Sequence, residues 1–228
     1  MQLAFAAAPQ ITIAIKGSDA RFPVHRIYCV GRNYAAHVVE MGGDPDRSEP
    51  FFFQKNPDNL LLDNADFPYP SRTSNVHHEV EMVVALQEGG RDIPVDRALD
   101  HVFGYAVGID MTRRDLQDGC KDRRQPWEIS KAFDHSAPCG PISPASAVGH
   151  LKQGSIWVKV DGETRQNGDL GQMIWKVPEM ISYLSGLFEL MPGDLIMTGT
   201  PSGVSAVERG QTMHAGIDAL GEISHKVV

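Results

Sequence analysis

The sequence predicts an α+β protein, mostly β, with a few short helices set beside the strands. Three observations lead there. Strand-length runs rich in Val, Ile and Phe recur along the whole chain. Turns rich in Gly, Pro, Asp and Asn separate them. Helical spacing with recognisable ends appears in only a few segments.

The bulk composition sets limits on function. With 228 residues the chain can bury a substantial core. The absence of repeats or low-complexity linkers favours one continuous domain. A formal net charge of −8 argues against nucleic acid as the main partner. It suits a soluble enzyme, and an anionic substrate is compatible with it where a metal or local arginines take the charge. Cys29, Cys120 and Cys139 are far apart and odd in number, with no zinc-like spacing and no disulfide framework, so a reducing cytoplasm is expected. No run reaches transmembrane length. Leu3 to Ala8 is apolar but lacks the basic start and long apolar stretch of a signal peptide.

Ile11 to Ile15 and Arg26 to Val30 read as strands separated by Gly17-Ser18-Asp19. A short helix follows, with Asn33 as expected N-cap and Gly42 as stop. On it His37 and Glu40 are three apart and can touch. A carboxylate beside a histidine orients the ring and raises its basicity, as a general base requires; a surface ion pair gives the same spacing. Phe51-Phe52-Phe53-Gln54-Lys55 reads as a buried strand ending at a lone lysine.

The stretch Ser74 to Leu86 is the most informative. Its second half is a strand entering a buried sheet, so Glu79 and Glu81 share one face while Met82 and Val84 lie on the other. Two adjacent carboxylates beside a core repel each other, and a hard divalent cation relieves both. A half-exposed strand with a solvated acidic face fits the same pattern. Val102 to Asp110 reads as another buried strand, ending in a third acid. Thr112 and Asp115 resemble a capping box. The helix they would open puts Arg114, Gln117 and Lys121 on one face, for an anionic ligand or for solvent. Lys131 sits in a mostly apolar setting, where a lysine either clamps substrate or snorkels to the surface.

Ile156 to Val160 and Glu163 to Gln166 flank Asp161-Gly162, a strong hairpin signal. Pro178 to Leu190 reads as an amphipathic helix with Ile181, Leu184, Leu187 and Phe188 inward. Gly193 to Gly203 is a strand running into a glycine-rich turn able to aim N–H groups at an anion. Without the Walker lysine or a following helix it is not a nucleotide site. Met213 to Val228 suggests a last hairpin closing the sheet.

Four motifs fall in order: Val30-Gly31-Arg32-Asn33-Tyr34 with His37, His77-His78-Glu79-Val80-Glu81, Asp110-Met111-Thr112-Arg113-Arg114-Asp115, and Thr198-Gly199-Thr200-Pro201. Together they resemble the fumarylacetoacetate hydrolase family in its small single-domain branch, from about Arg26 to the C-terminus. The resemblance implies a mixed β-sheet roll or sandwich with residues 26–228 as the catalytic domain, and residues 1–25 as an N-terminal extension packing on it. It implies a homodimer and one divalent cation per subunit, Mg²⁺, Mn²⁺ or Ca²⁺, held by Glu79, Glu81 and Asp110. His77 and His78 would only buttress that shell.

By the family pattern, His37 with Glu40 activates water, and Lys131 and Gln117 contact substrate or intermediate. The Thr200 turn binds the pyruvyl carboxylate, with Arg32, Tyr34 and Arg114 as further substrate contacts. The substrate is a small anionic 2-oxo acid. Pro50-Phe51-Phe52-Phe53, Tyr69-Pro70 and Phe133 to Pro138 bring the chain nearest to fumarylpyruvate hydrolases of gentisate degradation. Oxaloacetate decarboxylase or tautomerase, a diene-dioate isomerase of the same family, and a non-catalytic metal-binding protein are the alternatives. Asn56 and Ser205 depart from the family pattern, which has proline and glycine there.

Overall fold

In a computed structural model, residues 3–42 and 48–228 are described. The strands named here are β1 (Thr12–Ala14), β2 (Arg21–Pro23), β3 (Ile27–Gly31), β4 (Phe51–Lys55), β5 (Val80–Leu86), β6 (Val102–Ile109), β7 (Ser143–Pro144), β8 (Ser155–Val160), β9 (Glu163–Asp169), β10 (Leu195–Met197), β11 (Thr212–Ile217) and β12 (Gly221–Lys226). The helices are α1 (Ala35–Glu40), α2 (Arg114–Asp122), α3 (Glu128–Lys131), α4 (Ala145–Val148) and α5 (Val177–Leu187). The chain is mostly β, with several sheets and short helices, as its sequence predicts.

The central sheet runs β7-β6-β5-β10-β3-β4. Its β10–β3 pair is parallel and the rest are antiparallel. Both faces of β5 are buried, which is why its sequence turns continuously apolar after Glu81. The even-numbered side chains Met82, Val84 and Leu86 pack toward a core shared with a second sheet, β9-β8-β11-β12, through Ile156, Val158 and Met213. Helix α5 closes the same core with Met180, Ile181 and Leu184. The odd-numbered Val83 and Ala85 face the other way, against Ile13 and Phe22 of the β1–β2 hairpin. Glu79 and Glu81 continue this odd face beyond the hairpin's cover.

The β8–β9 hairpin forms at Asp161-Gly162, where both residues take the left-handed backbone that such a two-residue turn needs. Other expectations are corrected. Asn33 does not cap α1; the N-cap is Tyr34, and the Asn33 amide is buried, bonded to Trp175 and Thr198 backbone groups. Thr112 and Asp115 do not form a capping box. Arg113 is the N-cap of α2, the Thr112 hydroxyl donates to Asp110 O, and Asp115 accepts from Thr73 and Ser74. Leu187 and Phe188 are exposed, because α5 ends at Leu187, one turn beyond its last core contact at Leu184. The final hairpin, β11–β12, extends the second sheet through β8 and leaves the central one alone.

Candidate metal centre and active site

Three strand ends converge to build the site. Glu79 precedes β5 and Glu81 lies in it; Asp110 follows β6; Gly199 and Thr200 follow β10. The β5–β6 register pairs Glu81 with Gly108, and the Asp110 N–H donates to Glu79 O at 2.8 Å. One carboxylate oxygen from each of Glu79, Glu81 and Asp110 lies within 4.8 Å of the others. All three acids are buried. A solvated acidic strand is thereby ruled out.

Buried carboxylates need compensation, and each acid finds a different kind. Lys131, on α3, donates from Nζ to Glu79 Oε2 at 2.8 Å, Asp110 Oδ2 at 2.6 Å and Thr112 Oγ1 at 2.7 Å. It does not snorkel; it is only 2% exposed. Arg114 pairs with the other Glu79 oxygen, and its second nitrogen donates to Gln117 Oε1 at 2.6 Å. Lys55 Nζ lies 2.8 Å from Asp110 Oδ1 and donates to Ser136 Oγ at 2.9 Å and to the Lys131 carbonyl. Burial pushes the Glu79 carboxyl up, but Lys131 and Arg114 outweigh it and hold it well below the usual range.

Among the described residues, no such cation pairs with Glu81. It accepts one backbone bond, from Gly199 N at 2.7 Å. Burial, and then the charges of Asp110 and Glu79, raise its pKa well above the ordinary value. The donor set fits a hard divalent cation: all oxygen, mutually close, with Asp110 Oδ1 lacking an aligned hydrogen bond among the described residues despite the nearby Lys55.

His37, on α1, lines the same cavity of about 80 Å³ as the three acids. Its Nδ1 is 3.2 Å from Glu40 Oε2. Glu40 is fixed in turn by the Gly203 N–H, at 2.9 Å and 3.2 Å from its two oxygens. Arg32, Arg114, Gln117, Lys121, Lys131 and Thr200 line the cavity too. Tyr34 does not; its ring lies in the core. The Thr200 hydroxyl is engaged, donating to Val80 O at 2.8 Å and accepting from Gln166 Nε2 at 2.7 Å.

The two histidines diverge. His77 bonds Asn75 and Arg114, and its pKa is lowered to about 4 by burial and by Arg114. His78 points away from the acids to Gln166 and Ser205, so the Ser205 departure supplies a partner for a buried ring. Lys55 and Gln166 are the polar residues that sequence reasoning left without a role. The signal for Lys55 was a lone lysine ending an aromatic strand; Gln166 gave none.

A buried carboxylate triad at the joint of three strand ends, open to a cavity and backed by ammonium groups, defines a class: a β-rich domain able to bind a divalent metal. Comparison makes the class particular. A family model described as fumarylacetoacetate (FAA) hydrolase C-terminal matches residues 26–228, and the chain belongs to the fumarylacetoacetate hydrolase family. The crystal structure of fumarylpyruvate hydrolase from Pseudomonas aeruginosa, in complex with Mn²⁺ and pyruvate, superposes with a TM-score of 0.97 at 55% identity, covering 100% of this chain and 99% of that one. The mitochondrial oxaloacetate tautomerase FAHD1 of Arabidopsis thaliana is 42% identical over 202 residues, 89% of this chain and 90% of its own. The mitochondrial oxaloacetate decarboxylase of Dictyostelium discoideum is 42% identical over 196 residues, 86% of this chain and 89% of its own.

Proposed function

We propose that this protein is a divalent-cation-dependent hydrolase that splits 3-acylpyruvates, with fumarylpyruvate, cleaved to fumarate and pyruvate, as preferred substrate. The observation that carries the reading is the His37–Glu40 pair on the wall of the carboxylate cavity. Hydrolysis needs a base for water, and decarboxylation does not. Full-length similarity to a fumarylpyruvate hydrolase supports it.

Glu79, Glu81 and Asp110 would hold the cation, Mg²⁺ or Mn²⁺ with Ca²⁺ also accommodated by an all-oxygen set. When bound, it supplies Lewis acidity toward the 2-oxo-acid oxygens. The chain's own groups do the rest. His37 takes a proton from water, with Glu40 and the Gly203 N–H fixing the ring's orientation. The hydroxide adds to the acyl carbonyl beyond the methylene. Lys131 lies among the acids with its three N–H groups on Glu79, Asp110 and Thr112, so it stabilises charge on the attacked oxygen through the field of its ammonium, without a hydrogen bond to spare. Collapse breaks the carbon–carbon bond with its electron pair passing to the methylene, which takes the proton that His37 removed from water to give pyruvate, and the acyl group is released as an acid that loses its proton to solvent. Thr200 has its hydroxyl engaged, so its backbone N–H is what it offers to the pyruvyl carboxylate. Gln117, whose oxygen serves Arg114, offers its NH₂. Arg114 is committed to Glu79 and acts as a brace, leaving Arg32 for a distal carboxylate.

The second reading is oxaloacetate tautomerase or decarboxylase, favoured by the names of the curated relatives. Side-by-side turnover of fumarylpyruvate and oxaloacetate separates the two. The proposal expects fumarylpyruvate to have the higher kcat/KM. It also expects His37→Ala to cut fumarylpyruvate turnover by about 10²–10⁴ with metal content unchanged. Preferred turnover of oxaloacetate would establish the second reading instead: decarboxylation if His37→Ala leaves it untouched, tautomerisation if His37→Ala lowers it, since moving the proton of a keto–enol pair also needs a base.

We also place the protein in the cytoplasm, as a homodimer acting in aromatic-compound breakdown. No helix among the described residues is long and apolar enough to cross a membrane. Light scattering should give twice the 25.0 kDa chain mass, and fractionation tests the compartment against the mitochondrial relatives.

A further inference from the structure

We propose that a second chamber beside the carboxylate cavity is the acyl-tail subsite, built for a flat unsaturated tail ending in a carboxylate, with Trp127 as its wall and Arg32 as its anion receptor. The inference rests on the acylpyruvate reading and names the substrate class within it. The chamber is about 160 Å³ and shares Gly31, Arg32 and Trp127 with the carboxylate cavity, so the two adjoin. Its walls include Phe51, Trp127, Ile174 and Trp175.

Trp127 is held edge-on to Phe51, with ring centres 4.8 Å apart at 62°, and lies 5.9 Å from Phe53. Trp175 is anchored by its Nε1–H to Ser48 O at 3.2 Å and packs on Tyr183 at 6.2 Å. Two braced indoles and a half-exposed Phe51 are a costly apolar surface to present to water, and a conjugated tail is the chemistry that matches them.

Arg32 supplies the charge. Its φ is +59°, a conformation uncommon for a residue with a Cβ, and it is exposed at the junction of the two chambers. Among the described residues it pairs with no carboxylate, whereas the other arginine of the cavity, Arg114, is tied to Glu79 and Gln117. Glu49, also on the chamber wall, faces Tyr183 as a hydrogen-bond partner, so the chamber's own acid is engaged. A substrate whose 2-oxo-acid end sat at the cation that Glu79, Glu81 and Asp110 would hold would therefore meet an indole along its tail and, for a terminal carboxylate, a guanidinium with no carboxylate partner among the described residues.

The test uses Mn²⁺-loaded full-length protein with two variants, Arg32→Asn and Trp127→Leu. Asparagine tolerates the left-handed backbone, so the first variant keeps the turn. Two ratios are read: kcat/KM for fumarylpyruvate over acetylpyruvate, and the calorimetric Kd for pyruvate over 2-oxoadipate, which carries a distal carboxylate. Arg32→Asn should lower both ratios by about tenfold or more, the loss of one charge-assisted hydrogen bond. Trp127→Leu should lower the first. Each ratio is internal to one preparation, so partial unfolding leaves it unchanged. Unaltered ratios in Arg32→Asn, with acylpyruvate turnover intact, would overturn the subsite and leave the hydrolase standing. Absence of acylpyruvate turnover in the wild type, with a binding preference that Arg32→Asn abolishes, would do the reverse.

Discussion

Lys131 decides how the buried acids coexist before any cation binds. Its ammonium spans Glu79 and Asp110, and the burial that would lower its pKa is outweighed by those two carboxylates, so it stays charged. Replacing it with methionine keeps the apolar stem's volume and removes the charge. Lys131→Met should destabilise the metal-free protein by about 3–5 kcal/mol, the cost of stranding one side of a buried ion pair. Saturating Mn²⁺ should recover part of that loss by supplying the missing positive charge. Denaturant titrations with and without Mn²⁺ measure both; an equal loss in each would mean that the ammonium and the ion do not share the same acids. Glu81 behaves differently, since among the described residues its hydrogen-bond partner is the Gly199 amide and no lysine or arginine pairs with it.

At the scale of elements, the turn after β10 ties the general base to the carboxylates. Gly199 serves Glu81, and four residues later Gly203 serves Glu40. Gly203 has φ +99°, and a Cβ there would lie 2.1 Å from Arg165 O, in the strand below. Gly203→Ala should therefore displace the turn, costing about 1–3 kcal/mol in stability. It should also lower kcat more than the folded fraction does, because Glu40 loses its anchor. Asn33 is the second fastener. Its amide holds Trp175 N, Trp175 O and Thr198 O, at 2.7, 3.0 and 2.8 Å. Asn33→Ala should cost about 3 kcal/mol, roughly one for each buried hydrogen bond, measured from urea unfolding as a lower midpoint at unchanged m.

Asn33 also shows where sequence reading stops. An Asn before two alanines reads as a cap because capping is local chemistry, whereas its partners lie more than 140 positions away. The acids were legible for the opposite reason. Glu79 and Glu81 declare a shared face through strand alternation alone, and Asp110 marks a strand end. That Lys55 and Lys131 meet at Asp110 depends on α3 folding back across β4, which no spacing encodes. Leu187 and Phe188 were misplaced because helical periodicity gives direction around an axis, not where the axis outruns the core.

At the scale of the whole molecule, pH and metal set stability. His225 is buried in β12; its Nδ1–H donates to Ala65 O at 2.8 Å, and its other nitrogen has no hydrogen-bond partner among the described residues. Burial lowers its pKa below the ordinary 6.5, so the folded form holds it neutral. Below about pH 6.5 the unfolded chain binds that proton more readily, and stability falls as pH falls toward the folded-state value. The urea midpoint should drop between pH 7.5 and 5, and His225→Gln should flatten the slope. Metal acts by mass action: Mn²⁺ at about a hundredfold above its Kd should add about 2.7 kcal/mol, and chelation should remove that along with activity.

The alternation of β5 also bears on how the chain finds its fold. A slip of one residue against β6 or β10 would swing Glu79 and Glu81 into the apolar layer shared with Ile156 and Val158, and turn Met82 and Val84 toward the lysines. Few neighbouring misassemblies are penalised so heavily, since two uncompensated charges would be buried at once. The acids that suit the sheet to a cation thus also act as a proofreading device, rejecting a sheet zipped one step out of phase.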